Sequence, residues 1–186
     1  MPEIYSPAED SFFLASFVEK EINKINNKKS KDKLKILDMG SGSGIQAQTC
    51  ILSGIKPENL TLIDINSTAI SYLKKHFPLS TIIQSDLFTN VGDETWDLII
   101  FNPPYLPENK YDKKPDTTGG KKGDETIVRF LKQAKKHLNK NGKILLLTSS
   151  LTPNINFNRL GYKSRLLGEK KLFFEEIYVW GIMNSL

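Results

Sequence analysis

Hydrophobic residues near the start of the chain recur at the three- and four-residue spacing of an amphipathic helix, from Phe13 to Ile25. The stretch 6–9, Ser-Pro-Ala-Glu, precedes them and has the form of a capping box with proline at the first helical position. We therefore expect a helix that has Ser6 as its N-cap and ends at about Asn26. The polar stretch 27–33 predicts a linker.

Beyond this linker the pattern changes to short apolar runs that alternate with amphipathic segments. This alternation is typical of a doubly wound, mostly parallel twisted sheet with helices on both faces. The final pair of alternating runs, 163–168 and 172–181, predicts an antiparallel addition to the sheet, and 153–161 is too short for a full crossover helix. The other predicted strands are 34–39, 59–64, 80–84, 96–101 and 143–149, and the predicted helices are 45–53, 67–77 and 124–138.

Polar side chains follow four of these strands where each one ends, namely Asp38, Asp64, Asp86 and Asn102. In an open α/β sheet the ligand binds beyond the carboxyl ends of the strands. Each aspartate could instead cap a loop or helix or stabilise a turn. Several polar residues on one edge favour a ligand site.

Asn102 begins the tetrapeptide Asn102-Pro103-Pro104-Tyr105, which directly follows an apolar strand. Neither proline can donate a backbone hydrogen bond, and Pro103 holds Asn102 in extended geometry. The Asn102 side chain and nearby carbonyls are then outward-facing acceptors that suit a nitrogen with two N–H groups. The alternative interpretation is a strand-end turn under an aromatic lid.

The glycine loop after the first strand fits two cofactors. Gly42, Gly44 and Ala47 match the dinucleotide pattern G-x-G-x-x-G/A, and Asp64 follows at about 20 residues, as in nicotinamide-dependent oxidoreductases. Asp38 precedes the turn, however, and a carboxylate there opposes a pyrophosphate and favours a positively charged ligand. S-adenosylmethionine carries a sulfonium and an ammonium group and suits such a loop.

Bulk composition indicates one domain of 186 residues, divided into an N-terminal helix and linker (1–33) and a catalytic core (34–186). One cysteine and two histidines exclude an internal disulfide and are too few for a usual structural zinc site. No apolar run suits a membrane span and no signal peptide is evident, so we expect a cytoplasmic protein without a membrane partner. The net charge of +5 fits an anionic or ribosome-associated partner, but solvated lysines on loops and helix faces explain it better.

These motifs together resemble class I S-adenosylmethionine-dependent methyltransferases that modify planar nitrogens, which have a Rossmann-like fold. The segment from Tyr5 to Leu14, YSPAEDSFFL, is similar to the opening of the archaeal and eukaryotic branch of the HemK/PrmC-like glutamine methyltransferases. Enzymes of that branch act on the Gly-Gly-Gln loop of class-1 translation release factors. The resemblance implies S-adenosylmethionine as cofactor and S-adenosylhomocysteine as product.

The resemblance also implies a set of site residues. Asn102, Pro103, Pro104 and Tyr105 would be catalytic, with Asn102 and Pro103 holding the substrate nitrogen. Asp38 would lie near the methionine end of the cofactor, Asp64 at the ribose, and Asp86 with Leu87 at the adenine. The implied cofactor-binding residues are Tyr5, Ser11, Asp38, Gly40, Ser41, Gly42, Gly44, Asp64, Ile65, Asp86, Leu87 and Asn102.

Partners and rival acceptors follow from the same pattern. Thr81, Ile82 and Ile83 would form an edge strand, which the resembled branch covers with a small zinc-binding activator protein, so we expect a heterodimer. The glycines of the loop 110–123 favour a mobile substrate loop.

The exocyclic amine of adenine or cytosine also fits the acceptors at Asn102 and Pro103. The alternative function is therefore a DNA or RNA methyltransferase, or a methyltransferase with another protein acceptor. Against a nucleic acid methyltransferase, the chain has no obvious segment for flipping and reading bases.

Overall fold

The computed structural model describes residues 4, 6–25, 28–107, 119–153 and 155–185, with 28 and 29 described by their backbone alone. The helices are α1 (Glu9–Asn23), α2 (Lys28–Lys31), α3 (Ile45–Leu52), α4 (Ser67–His76) and α5 (Glu125–His137), with a short 3₁₀ turn at Pro57–Asn59. The strands are β1 (Ile36–Met39), β2 (Leu60–Asp64), β3 (Thr81–Gln84), β4 (Trp96–Phe101), β5 (Leu138–Ser149), β6 (Tyr162–Lys171) and β7 (Glu176–Asn184).

The strands form one seven-stranded sheet in the order β3-β2-β1-β4-β5-β7-β6. Strands β1 to β5 are parallel, whereas β7 is antiparallel to both β5 and β6. This topology confirms the predicted fold class, including the antiparallel C-terminal strand. The register aligns Met39 with Ile63 and Phe101, and Phe101 with Leu146, so the ends of the central strands are nearly level.

The core lies around the central strands, which are apolar on both faces because helices cover both. All four residues of β1 are buried, and Ile99, Ile144 and Leu145 are fully enclosed. The edge strand β3 is different, since Thr81 and Gln84 are exposed and the two isoleucines between them are half-buried. The predicted edge position of this strand is confirmed.

Helix α1 packs against α3, β5 and β7. Its buried stripe consists of Asp10, Leu14, Val18 and Ile22 at four-residue spacing. At its two ends the helix is tied to the sheet by ion pairs, Glu9 with Lys170 at 3.1 Å and Glu21 with Lys143. The helix is therefore part of the packed structure.

The predicted start of α1 was wrong by two residues, because the first helical residue is Glu9 and not Pro7. Ala8 is the N-cap residue, with extended dihedrals and no side-chain cap. Ser6 is exposed and lies outside the helix. The acids Glu9 and Asp10 in the first turn complement the positive end of the helix dipole in place of a capping box.

Other parts of the prediction also differ from the structure; for example, β1 begins at Ile36 instead of 34 and β6 ends at Lys171 instead of 168. The supposed linker contains the short helix α2. Strand β5 begins at Leu138 instead of 143, because residues 139–142 are accommodated by a register shift opposite Asp97, whose carboxylate accepts a hydrogen bond from the Asn139 amide at 2.7 Å. In the terminal hairpin, residues 172–175 form a turn and β7 starts only at Glu176. Residues 157–161 form turns, as expected for a segment too short for a crossover helix.

Candidate active site

The parallel register brings several polar side chains to one edge of the sheet. Asp38 is the penultimate residue of β1, Asp64 is the last of β2, and Asn102 directly follows β4. Since these three strands are neighbours and end at nearly the same level, their side chains share a cleft with the loops that follow them.

Asn102 is held in one orientation by the first turn of α1. Its Nδ2 donates to Asp10 Oδ2 at 3.2 Å and lies 3.4 Å from Ser11 Oγ. A carboxylate only accepts hydrogen bonds, so the amide must present its NH₂ group to Asp10 and its oxygen to the other side. That oxygen, Oδ1, is buried and has no hydrogen-bond partner among the described residues. It is an acceptor of the kind that a ligand N–H group satisfies.

The same carboxylate also contacts Tyr105. Asp10 Oδ2 accepts from the Tyr105 hydroxyl at 3.4 Å, while Asp10 Oδ1 accepts from the Ser11 backbone N–H at 2.6 Å. The sequence interpretation assigned no role to Asp10. The available signal was its position on the apolar stripe of α1, where an acid at the spacing of Leu14 and Val18 must be buried.

The Pro-Pro-Tyr segment is packed from both sides. Pro103 is buried, and the Tyr105 carbonyl accepts from Thr152 Oγ1 at 3.1 Å. Gly119 lies against Pro104, and its N–H donates to the Leu106 carbonyl at 2.9 Å. Of the predicted substrate loop 110–123, residues 110–118 lie outside the described part of the chain.

The glycine loop after β1 folds into a tight turn. The Ser41 hydroxyl donates to the Asp38 carbonyl at 2.7 Å, and the Gly44 N–H donates to the Ser41 carbonyl at 2.7 Å. Gly42 and Gly44 both have positive φ, and a Cβ on Gly44 would lie 2.4 Å from the Phe77 ring. A Cβ on Gly42, by contrast, would meet no described atom within 4 Å, so the loop faces open space where a ligand can approach the backbone.

Asp64 connects β2 to this loop. Its two carboxylate oxygens accept from the backbone N–H groups of Gly42 and Asn66, each at 2.8 Å. The next helix is capped by Asn66, whose side chain accepts from the Thr68 N–H at 2.9 Å. Because Asn66 caps α4, Asp64 is not needed for that purpose. Ile65 is 65% exposed at the rim beside it.

Asp38 is a buried carboxyl group. Burial raises its pKa from the usual 3.8 to about 8, and the negative charge of Asp64 contributes to the rise. Its Oδ2 has no hydrogen-bond partner among the described residues. A positively charged ligand in this cleft would stabilise the ionised carboxylate. An orphaned acid beside an open glycine loop therefore fits the cationic methionine end of S-adenosylmethionine.

Asp86 and Leu87 follow β3. Asp86 Oδ2 accepts from Arg129 at 2.6 Å, in an ion pair that is half-exposed on both sides and hence weak. The sequence prediction did not include Arg129 as a partner of Asp86. The ion pair uses Oδ2 of Asp86, so Oδ1 can accept from a ligand. Leu87 is buried and has φ of 50°, a left-handed conformation that is unusual for a leucine.

Two other predicted cofactor residues belong to the N-terminal segment. Ser11 is buried, and its carbonyl accepts from Gln46 Nε2 at 2.9 Å, which connects α1 to the helix after the glycine loop. Tyr5 lies outside the described residues. Within the described ranges no cluster of three or more histidine, cysteine or acidic residues could hold a metal ion, and no helix has the length and apolarity for crossing a bilayer.

The chain is similar in sequence and in fold to known methyltransferases. The family model described as methyltransferase small domain matches residues 22–156. The provisionally named protein N5-glutamine methyltransferase of Methanocaldococcus jannaschii is 35% identical, over 96% of this chain and 90% of that protein. The release factor glutamine methyltransferase of Rhodopirellula baltica is 30% identical over 77% of this chain, which spans about half (51%) of that relative.

A solved structure resembles the whole described fold. The E. cuniculi Mtq2-Trm112 complex, responsible for methylation of the translation termination factor eRF1, contains a chain with a TM-score of 0.74 and 25% identity. The match covers 97% of the present chain and 98% of that chain. It extends over the antiparallel hairpin as well as the parallel strands.

Proposed function

The chain belongs to the methyltransferase small domain family, and from that premise we propose that it methylates the side-chain amide nitrogen of the glutamine in the Gly-Gly-Gln loop of a translation release factor. The carrying observation is Asn102 Oδ1, a buried acceptor without a partner among the described residues and oriented by Asp10. The predicted membership of an S-adenosylmethionine-dependent methyltransferase family is confirmed by the relatives, which sets the nicotinamide interpretation aside.

The residues around the glycine loop would hold the cofactor. S-adenosylmethionine supplies a methyl group on a positively charged sulfur. Asp38 would balance the positive charge of the methionine end, Asp64 would accept the ribose hydroxyls, and Asp86 with Leu87 would contact the adenine. The remaining proposed contacts are Tyr5, Ser11, Gly40, Ser41, Gly42, Gly44 and Ile65.

An amide nitrogen is a poor nucleophile because its lone pair is delocalised into the carbonyl. In our proposal Asn102 Oδ1 and the Pro103 carbonyl accept its two N–H groups, which weakens the delocalisation and directs the lone pair at the methyl carbon. When bound, S-adenosylmethionine would supply the methyl carbon, the electron pair of its carbon–sulfur bond would remain on sulfur as the C–N bond formed, and one N–H proton would pass to water. Orientation supplies most of the rate enhancement.

Tyr105 would pack beside the planar amide. Its hydroxyl donates to Asp10, so the ring is held by the same carboxylate that orients Asn102. The buried position of Pro103 supports this arrangement, because a backbone that cannot shift keeps both acceptors at a fixed separation.

The exposed edge β3 supports a partner. We propose that a small zinc-binding activator protein pairs along Thr81, Ile82 and Ile83 and forms a heterodimer with this chain. The half-buried isoleucines and an outer edge with which no described strand pairs are features that strand addition satisfies.

The decisive experiment supplies labelled S-adenosylmethionine, with a candidate activator, to three acceptors: a release factor, the same factor with the Gly-Gly-Gln glutamine replaced by alanine, and an adenine-containing oligonucleotide. We expect label on the unmodified factor alone. Label on the oligonucleotide but not on the factor would identify a nucleic acid methyltransferase. Equal label on both factors would place the methyl group on another residue.

A further inference from the structure

The turn between β6 and β7 presents two phenylalanines to solvent. Phe173 is 91% exposed and Phe174 is 85% exposed, and their rings meet edge to face with centroids 4.5 Å apart. Adjacent aromatic side chains at this exposure leave an apolar surface uncovered, a feature typical of binding sites. We call this pair the aromatic tip.

The aromatic tip is fixed to the end of β5. The Leu172 N–H donates to the Glu175 carbonyl at 2.7 Å, which closes the turn. The Ser149 hydroxyl donates to the Glu175 carboxylate, and the Ser150 N–H donates to the Glu176 carbonyl at 2.7 Å. The exposure of the tip is thus built into the structure by bonds on both sides of it.

From this anchor a continuous series of contacts leads to the catalytic cleft. The Ser149 N–H donates to Thr152 Oγ1 at 3.2 Å, and that hydroxyl donates to the Tyr105 carbonyl at 3.1 Å. Lys170 of β6 pairs with Glu9 at 3.1 Å, so the hairpin and the first turn of α1 lie close together.

A cavity of about 400 Å³ opens beside this series of contacts. It occupies the region where turns replace a crossover helix. Hydroxyl groups and aromatic rings line it, including Ser149, Thr152, Tyr178 and Trp180. Such a lining accepts both the backbone and the apolar side chains of a peptide.

Strand geometry gives the span from the tip to Asn102. Ser149 lies three positions beyond Leu146, which is level with Phe101, and β7 lies two strands from β4. At about 3.3 Å per residue and about 4.8 Å per strand, the tip is on the order of 15–20 Å from Asn102. An extended peptide covers that distance in roughly five or six residues.

We propose that the aromatic tip and the adjoining cavity dock the protein that carries the acceptor glutamine, at surfaces flanking the methylated loop. This inference rests on the proposed function and adds to it the residues that recognise the macromolecule. A protein suits the site better than a nucleic acid, because the tip is apolar and carries no excess of positive charge that would attract phosphates. Lys170 and Lys171 precede it, Glu175 and Glu176 follow it, and Lys170 is already paired with Glu9 at 3.1 Å.

The test is the double substitution Phe173→Ser/Phe174→Ser, assayed with the release factor as methyl acceptor. Loss of two aromatic anchors should raise the KM for the factor by about tenfold or more, with kcat and the affinity for S-adenosylmethionine within about twofold of wild type because neither ring lies at the reacting atoms. Leu52→Ser is the matched control, since Leu52 is 81% exposed at the end of α3 and belongs neither to the β6–β7 turn nor to the lining of the cavity. It should leave all three quantities unchanged.

An unchanged KM for the double variant, with the factor still labelled by the wild type, would overturn the docking role and leave the proposed function standing. No labelling of the factor by the wild type with its activator would instead overturn the proposed function and this inference with it. Sedimentation supplies a further readout. A wild-type dimer that the double variant cannot form, together with an unchanged KM, would assign the tip to self-association and overturn docking of the acceptor.

Discussion

Asp10 and Asn102 are 92 positions apart in the chain and are joined by a hydrogen bond of 3.2 Å between Oδ2 and Nδ2. The bond makes the first turn of α1 a support for the strand-end asparagine. It also determines which end of the Asn102 amide faces the cleft.

Asp10→Ala should lower kcat by about 100-fold, because Asn102 then loses the acceptor that fixes its amide and the substrate nitrogen is misaligned. The KM for S-adenosylmethionine should change by less than about threefold, since Asp10 is not a proposed cofactor contact. Steady-state kinetics with saturating acceptor measure kcat and the KM for S-adenosylmethionine separately. The exposed neighbour Glu9→Ala is the control and should retain near wild-type kcat. An equal fall in both variants would show that α1 packing, and not the orientation of Asn102, is responsible.

Asn102→Ala should abolish methyl transfer while calorimetry shows near wild-type binding of S-adenosylmethionine. The substitution removes the buried oxygen that has no partner among the described residues and that is proposed to accept the substrate N–H group. Substantial turnover by this variant would refute the orientation mechanism. A folded variant that binds no cofactor would instead place Asn102 in the cofactor site alone.

Asp64→Ala should weaken cofactor binding by roughly 1 to 3 kcal/mol, the usual range for lost charge-assisted hydrogen bonds. Part of the loss reflects the loop, because the carboxylate also holds the backbone N–H groups of Gly42 and Asn66. Titration calorimetry gives the affinity. Glu58→Ala, which removes an exposed acid just before β2, should bind normally. Unchanged binding by the Asp64 variant would remove Asp64 from the site.

Asp38 should make the cofactor-free protein less stable as pH rises. Its folded-state pKa of about 8 exceeds the usual 3.8, so its contribution to folding is fully present below pH 3.8 and is lost as pH rises through 8. Asp38→Asn stays neutral, and its Tm relative to wild type should increase by about 3–5 °C per pH unit within that window. Thermal unfolding between about pH 5 and about pH 9 measures the difference. Parallel curves for the two proteins would mean that Asp38 is ionised at neutral pH.

Ile82→Lys/Ile83→Lys should reduce binding of an activator protein by at least about tenfold, because two charges are introduced where a partner strand would pack. Light scattering of the mixture reports complex formation. Leu166→Lys on β6, the opposite edge strand, is the control and should bind normally. A wild-type chain that is monomeric, soluble and fully active without any partner would show that the activator is not required.

The sequence predicted best those features that short segments determine. The apolar run ending at two prolines places β4 at Trp96–Phe101 in agreement with the structure, and the alternation of elements places Asp38 and Asp64 on one edge. The features it missed depend on distant contacts. Asp10 acquires its role only when α1 meets β4. The sequence prediction placed Phe173 and Phe174 in the final strand. In the structure they lie in the turn before it, which is held by hydrogen bonds from Ser149 to Glu175 and from Ser150 to Glu176.

The packing of α1 has a consequence for when the protein becomes active during its synthesis on the ribosome. The helix lies against β5 and β7 as well as α3, and its first residue pairs with Lys170. Asp10 is synthesised early, but it reaches its final position against the sheet only after the β6–β7 hairpin has emerged from the ribosome. Such long-range contacts make folding slow and late, so the nascent chain remains inactive until nearly all of the sheet has been translated.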